Sequence, residues 1–590
     1  MKNIVSLIIL IAAAGVVSCE DFLERYPKTE ITANDYFKTS SDLELYSNRF
    51  YQQFLSAPTD DVGSDNVTVS TNANTMFTMV NNNSITSSNI GGWDRSDWAG
   101  LRLINYMLDN IYPEQMNIAE TDLLHYIGIA KFFRGYYYYN KVKNYSSVPY
   151  YNTAMSAMDE DLYKASDPRT VVVDSVIKDL EYAAAHIHSA VGQRTRLNRY
   201  AALALLARVS LHEATFRKYH PELGLTGTAN AFFEKAVAAC EEIMGKEVFE
   251  IHDSYGALFH SSKLRENKEI ILAVEYDQAL GRGNNTHVVL GEYWGLSHSL
   301  MEAYQTSDGK EFSLTKDDGS YKSYAELFED RDPRLMETFA YPGFKISPEL
   351  PNNTPYRPRI TRGGFDQLKF YPRETSQRHG YNMNYTSLPL FRYAEVLLIY
   401  AEAKAERGTL TQADLDKSVN RIRGRTGIEM PAINTSGNVL EKIRNERRVE
   451  LACEGFRPDD LKRWKQGELL GRQPRGIYIS ELGAFDVTGD DIPDVALLLS
   501  PKDEDQEPIA HLEEDVKKAL TKEFLYNENG NPTSIYLSKD GAKSDTEGYI
   551  EFLTCANRAW HDKFYYVPIP HNQKLLNPKL IQPPGWENEQ

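Results

Sequence analysis

At 590 residues with a formal net charge of −18, the chain is long enough to bury a large core without disulfide support. It is also too acidic to be a general nucleic-acid binder, which needs clustered Lys and Arg against phosphates. Hydrophobic residues make up 42% and charged residues 25%, the balance of a water-soluble body and not of a multispanning membrane protein.

The N-terminus departs from that average. Lys2 precedes an apolar run over residues 4–17, which is short for a bilayer span and reads as an export signal. Val16, Val17, Ser18 and Cys19 resemble a lipobox, so residues 1–18 are expected to be removed and Cys19 to carry a diacylglycerol. With more than one acyl chain, such an anchor is stable where a single chain is not. Glu20 and Asp21 resemble the acidic tag of surface-exposed lipoproteins, and residues 19–36, with Pro27, form a polar tether. Cys240, Cys453 and Cys555 are widely spaced in apolar settings and are expected to be small buried hydrophobes.

Helical periodicity follows over residues 123–145, 175–188, 197–216 and 230–244; the third is rich in alanine and leucine, which permits close packing. Over 390–406, Arg392, Glu395, Ile399, Glu402 and Glu406 recur at steps of three and four, a mainly charged stripe on an otherwise apolar helix. Bulky and alanine-rich helices in alternation suggest embedded tetratricopeptide-like pairs, at intervals too irregular for a consecutive array. Residues 249–386 and 467–549 lack long helical periodicity and are rich in Gly, Pro, Asn and Asp; their scattered aromatics indicate folded excursions.

Several of these segments together resemble the SusD/RagB family. The resemblance rests on Cys19, Asp21, Phe22, Leu23 and Pro27, then on Arg134 to Tyr139, Val142, Tyr145, Val148 and Pro149, and on two alanine-rich helices. Ser146 stands where glycine is typical and Gly135 where alanine is. The densest match is Glu446, Arg447, Glu450, Leu451, Glu454, Gly455, Arg457, Asp460, Leu461, Arg463 and Trp464; Pro568, Ile569, Pro570, Asn577, Pro578, Leu580, Gln582, Gly585 and Trp586 close the series. The alternating carboxylates and guanidiniums favour a network pinning helices over a catalytic site.

The resemblance implies a mostly α fold: a SusD-like helical scaffold with long irregular loop excursions, divided into an N-terminal helical region at 37–250 and a C-terminal region at 251–590 packed on it. It implies a non-enzymatic surface lipoprotein of the outer membrane that captures a glycan and passes it to a SusC-type TonB-dependent transporter. A peptide ligand, as in RagB-like uptake, and a non-binding surface scaffold are the alternatives. No cofactor is required beyond the N-terminal lipid.

Sugar rings present apolar faces and hydroxyls, which suit aromatic platforms flanked by amides and carboxylates. The candidates are therefore Trp93 with Asp94 and Arg95 after a Gly-Gly pair, Tyr293 with Trp294 in a second glycine-flanked segment, and Asn72 and Asn74 as hydroxyl partners. Asp486, Thr488, Asp490 and Asp494 place oxygen side chains at relative positions one, three, five and nine of a turn, a pattern suited to a structural calcium ion. No HExxH helix, GxSxG elbow, Walker loop or dinucleotide fingerprint occurs, and the 13 histidines show no ligand spacing.

Overall fold

A computed structural model describes residues 36–588 apart from 70–73, 83, 157, 348–353 and 379. The signal segment, the Cys19 anchor, the tether and Asn72 lie outside the described residues. The principal helices are α1 (Ser40–Phe54), α2 (Thr75–Asn82), α3 (Arg95–Asp109), α4 (Glu120–Tyr145), α5 (Arg169–His186), α6 (Arg199–Tyr219) and α7 (Ala229–Met244), followed by α8 (His298–Ala303), α9 (Tyr393–Glu406), α10 (Val439–Glu450) and α11 (Arg457–Arg463).

Helices α4 and α5 pack together, as do α5 and α6, α6 and α7, and α9 with both α7 and α10. The reason is local. Ala201, Ala202, Ala204, Ala207 and Ala214 of α6 are fully buried, so neighbouring backbones approach closely, while α4 buries Phe132, Phe133 and Tyr138, with Phe133 against Phe50, Tyr51 and Phe54 of α1. Each such large side chain contributes about 1.5–3 kcal/mol by leaving water. Gly135 belongs to this packing, since a Cβ there would stand 3.1 Å from Leu180 on α5. Helix α4 ends at Ser146, whose φ of 63° is one that glycine adopts without strain.

The predicted helix over 390–406 begins later than its periodicity suggests. Strands β1 (Val67–Val69), β2 (Ile270–Val274), β3 (Trp294–Leu296) and β4 (Leu388–Arg392) precede it. Residues 390–392 are claimed by β4, which pairs antiparallel with β2 through irregular register.

The excursions fold as small sheets. Strands β5 (Tyr478–Ile479), β6 (Gly483–Phe485), β7 (Val495–Leu498), β8 (Thr521–Phe524), β9 (Ile535–Lys539), β10 (Ala542–Ser544) and β11 (Gly548–Phe552) form a β10-β9-β11-β5 sheet and a β6-β7-β8 sheet. Strand β1 pairs antiparallel with β3, setting Val69 opposite Trp294. Cys240, Cys453 and Cys555 are free and buried, as expected.

Candidate functional site

The charge-rich segment 446–464 is an interior lattice. Arg392 reaches Glu269, Glu450 and Glu454; Arg334 reaches Asp332, Glu446 and Glu450; Arg425 reaches Glu269 and Glu450, all at 2.6–2.9 Å. The stripe on α9 joins the same scheme. Glu395 accepts from Arg208, Glu402 from Arg463 and from the Trp464 indole, and Glu406 from Arg444 and Lys218. The neighbouring guanidiniums hold the Glu450 carboxyl far below the usual range against the opposing cost of burial. Densely cross-paired, though Arg425 Nε, Arg444 Nε and Arg447 Nη1 are left without partners among the described residues, this lattice holds elements together.

The tryptophan candidates are displaced inward by the structure. Trp93 is buried, its ring edge-on to Tyr145 at 4.7 Å and to Trp98 at 5.2 Å. Lys141 lies over Trp93, Trp98, Tyr137 and Tyr145, and donates to Gly92 O at 3.0 Å. Burial brings that ammonium down to about 8. The glycine-opened loop thus closes over a caged lysine, which leaves no indole face for a ligand. Asp94 and Arg95 are exposed, but Asp94 is the N-cap of α3 and its amide is bonded to Asp97. Asn74 likewise serves structure, its amide donating to Val62 O and its oxygen accepting from Phe77 N. Trp294 is buried too, and its indole N–H donates to Gln367 at 3.0 Å.

Tyr293 is the candidate that reaches the surface. Tyr293 is half-buried and immediately precedes β3, whose residues Trp294 to Leu296 are all buried. The Tyr293 hydroxyl meets that of Tyr381 at 3.1 Å, and Tyr381 is 62% exposed. Around this pair, Asn285 and Asn382 exchange hydrogen bonds, the His287 ring stands edge-on to Tyr381 at 5.9 Å, and Met383 is exposed. The rim therefore joins two phenol rings, two amides and a thioether, partners for a sugar's apolar face and hydroxyls.

A second aromatic surface lies nearby in the fold. Tyr321 stacks on Tyr478 at 3.6 Å with 12° between the rings, and Tyr478 packs edge-on to Tyr549. Tyr478 donates to Glu547, which also pairs with Lys539, and Arg475 covers Tyr549. Hydrogen bonds join the two surfaces: the Arg362 guanidinium donates to Tyr293 O, and the adjoining Gly363 O accepts from Ile477 N, next to Tyr478. Gly476 is required at this crossing, because a Cβ there would lie 2.4 Å from Gly363 O. Tyr381, Tyr321 and Tyr478 were outside the sequence-based candidates. The run Gly380, Tyr381, Asn382, Met383, Asn384, Tyr385 carried a readable signal, a glycine-opened alternation of rings and amides.

The proposed calcium residues occupy the turn between β6 and β7. Oxygens of Asp486, Asp490 and Asp494 lie within 4.8 Å of one another, a donor set that fits a hard divalent cation in kind. Thr488 is arranged otherwise, its hydroxyl donating to Asp494 at 2.7 Å. Arg357 stands 3.2 Å from the other Asp494 oxygen, and turn amides of Thr488, Gly489 and Asp491 donate to Asp486. The turn is thus also closed by its own donors.

The comparisons with known proteins bear on this architecture as a whole. A family model described as the SusD family matches residues 268–586, more than half of the chain. The chain belongs to the SusD family. A second model, described as starch-binding associating with outer membrane, matches residues 21–211. Among curated relatives, SusD-like protein P2 of Formosa agariphila is 25% identical over 78% of this chain and 90% of its own length. SusD-like protein P25 of the same organism is 24% identical over 79% and 90%. Among solved structures, a SusD-like carbohydrate-binding protein of Bacteroides fragilis aligns with a TM-score of 0.66 at 21% identity, over 92% of this chain and 99% of that one. A laminarin-binding SusD-like protein aligns at 0.57 and 19% identity, over 93% and 100%. At these identities the structural likeness establishes a shared SusD-like, mostly helical fold.

Proposed function

We propose that this protein is a lipid-anchored outer-membrane capture protein that binds a glycan at the Tyr293–Tyr381 rim and delivers it to a SusC-type TonB-dependent transporter, without cleaving it. The observation that carries the reading is the surface phenol pair of half-buried Tyr293 and exposed Tyr381 set among amide side chains; of the aromatic candidates read from the sequence, Tyr293 is the one that is not buried. Membership of a family with carbohydrate-binding relatives supports the ligand class. The match to the outer-membrane starch-binding description supports the location, together with the lipobox at Cys19. Among the described residues no helix is long and apolar enough to cross a membrane, so attachment is assigned to the acyl anchor.

The test is calorimetric titration against oligosaccharides and a peptide digest, with recovery of the ligand afterwards. Saturable binding of an intact glycan supports capture. Binding of peptides alone moves the reading to peptide uptake, turnover moves it to an enzyme, and no binding to either class favours a surface scaffold.

A structural calcium ion at the β6–β7 turn is proposed alongside, held by Asp486, Asp490 and Asp494 and serving to stiffen the turn. The melting temperature is expected to rise by about 1–3 °C in millimolar calcium, an effect lost in Asp490→Asn. An unchanged melting temperature, or the same rise in the variant, refutes it.

A further inference from the structure

The turn that presents Tyr293 is held from below by three consecutive residues. Phe365 O accepts from Leu296 N at 2.6 Å, Gln367 accepts from the Trp294 indole at 3.0 Å, and Asp366 between them lies against Gly291. Gly291 has a φ of +66°, and a Cβ there would stand 2.5 Å from the Tyr356 hydroxyl and 3.0 Å from Asp366 Oδ2. The backbone of the presenting turn therefore rests directly on a Tyr356–Asp366 pair, in which the phenol donates to Oδ2 at 2.7 Å and Arg359 N donates to the same oxygen at 3.2 Å.

Asp366 is fully buried, and its other oxygen, Oδ1, has no hydrogen-bond partner among the described residues. An unpartnered carboxylate oxygen in a dry interior is costly as an anion, whereas as a neutral acid the group carries no charge to bury. The charged and titratable groups that face it come from several elements: Arg359 and Tyr356 on its own segment, Arg362 at the base of the presenting turn, Glu523 from β8, and Tyr324 ahead of the turn Ala325–Phe328. Arg359 favours ionisation of Asp366 and Glu523 opposes it.

We infer that Asp366 and Tyr356 are positioning residues for the Tyr293 rim, and that protonation of Asp366 decides how firmly that rim is held. The inference rests on the glycan-rim reading for its function but not for its geometry. Burial pushes the Asp366 carboxyl up to about 6. An acid whose folded value is raised contributes most below its unfolded value near 3.8, and that contribution is lost as pH rises through about 6. The rim is therefore held more firmly at pH 5 than at pH 7.5. Asp366→Asn imitates the neutral acid, keeping an acceptor for Tyr356 and Arg359 without a charge.

The test is hydrogen exchange of the 290–295 amides in the full chain at pH 5 and pH 7.5, corrected for intrinsic rates, in wild type, Asp366→Asn and Tyr356→Phe. The expected result is a several-fold loss of protection at pH 7.5 in the wild type. Asp366→Asn should keep the pH 5 level at both values, and Tyr356→Phe should be less protected at both. A wild type without pH response, or an Asp366→Asn variant that responds as the wild type does, overturns the inference. The readout needs no ligand, so a failure of the glycan reading leaves it intact, and a flat exchange profile leaves the glycan reading untouched.

Discussion

The buried lattice of 446–464 and the Tyr293–Tyr381 rim use polar groups to opposite ends. In the lattice, each carboxylate is met by one or more guanidiniums, and segments as far apart as Glu269 and Glu450 are tied through Arg392 and Arg425. At the rim, rings and amides stand at the surface with Tyr381 62% exposed. The lattice groups pair inside the molecule and fix geometry, while the rim groups, hydrogen-bonded among themselves, stand where a ligand can reach them. Chemical richness alone therefore does not mark a site: Trp93 and Lys141 form the denser cluster, and they are sealed.

The largest effect that would break this contrast lies in the lattice. Arg392→Ala leaves Glu269, Glu450 and Glu454 short of a buried partner, and a loss of about 3–5 kcal/mol in denaturant unfolding is expected. A loss under about 1 kcal/mol would mean that the lattice is not what secures the fold.

Next in size is Trp93→Ala, which empties a core position beside Trp98 and Tyr145 and is expected to cost about 3 kcal/mol. Glycan affinity should stay within about twofold, since a sealed indole contributes no binding face.

How much of this was legible in the sequence depends on how local each feature is. The lattice was readable because Glu446, Arg447, Glu450, Glu454, Arg457, Asp460 and Arg463 recur at helical spacing within one segment. Helices α4 to α7 were readable for the same reason, with ends moved by a few residues where capping and tertiary contacts decide. The rim was only half readable, because Tyr293 and Tyr381 are 88 residues apart and meet through packing of irregular loops. Trp93 and Trp294 drew attention as large, uncommon rings flanked by glycine. Yet a large ring in an irregular segment gains most by burial, and here the smaller, polar-tipped tyrosines stay outside. Asn74 and Asp94 looked like ligand groups and are helix-starting residues: the Asn74 oxygen accepts from Phe77 N, and the Asp94 side chain accepts from Gln573.

The pH dependence of stability sharpens the same contrast. Arg169 and Arg217 hold Glu213 down to about 2 against the burial that opposes them. An acid with a lowered folded value contributes stability above its unfolded value near 4.5 that is lost as pH falls through about 2. Unfolding free energy should therefore fall from pH 4.5 toward pH 2. Asp61, raised to about 6 by burial, works in the other direction between about 4 and 6. The partly buried histidines His125 and His260, brought down to about 4 and about 3 by burial, oppose Asp61 over the same range, so the decline below pH 4.5 is the part assigned to Glu213, and a stability that stays level from pH 4.5 to pH 2 would contradict that assignment.

The smallest effect on stability is expected at the rim. Tyr381→Ala, mostly exposed, should change unfolding free energy by under about 0.5 kcal/mol. A larger loss would mean that the tyrosine packs and does not present.

The central claim is that the surface tyrosine pair, and not the buried tryptophan cluster, binds the ligand. Calorimetric titration of an oligosaccharide panel into wild type, Tyr381→Ala and Trp93→Ala tests it most directly. Expected is saturable binding of an intact glycan to the wild type, at least about tenfold weaker in Tyr381→Ala, or about 1.4 kcal/mol, and nearly unchanged in Trp93→Ala. Equal affinity in wild type and Tyr381→Ala, or loss confined to Trp93→Ala, would contradict it.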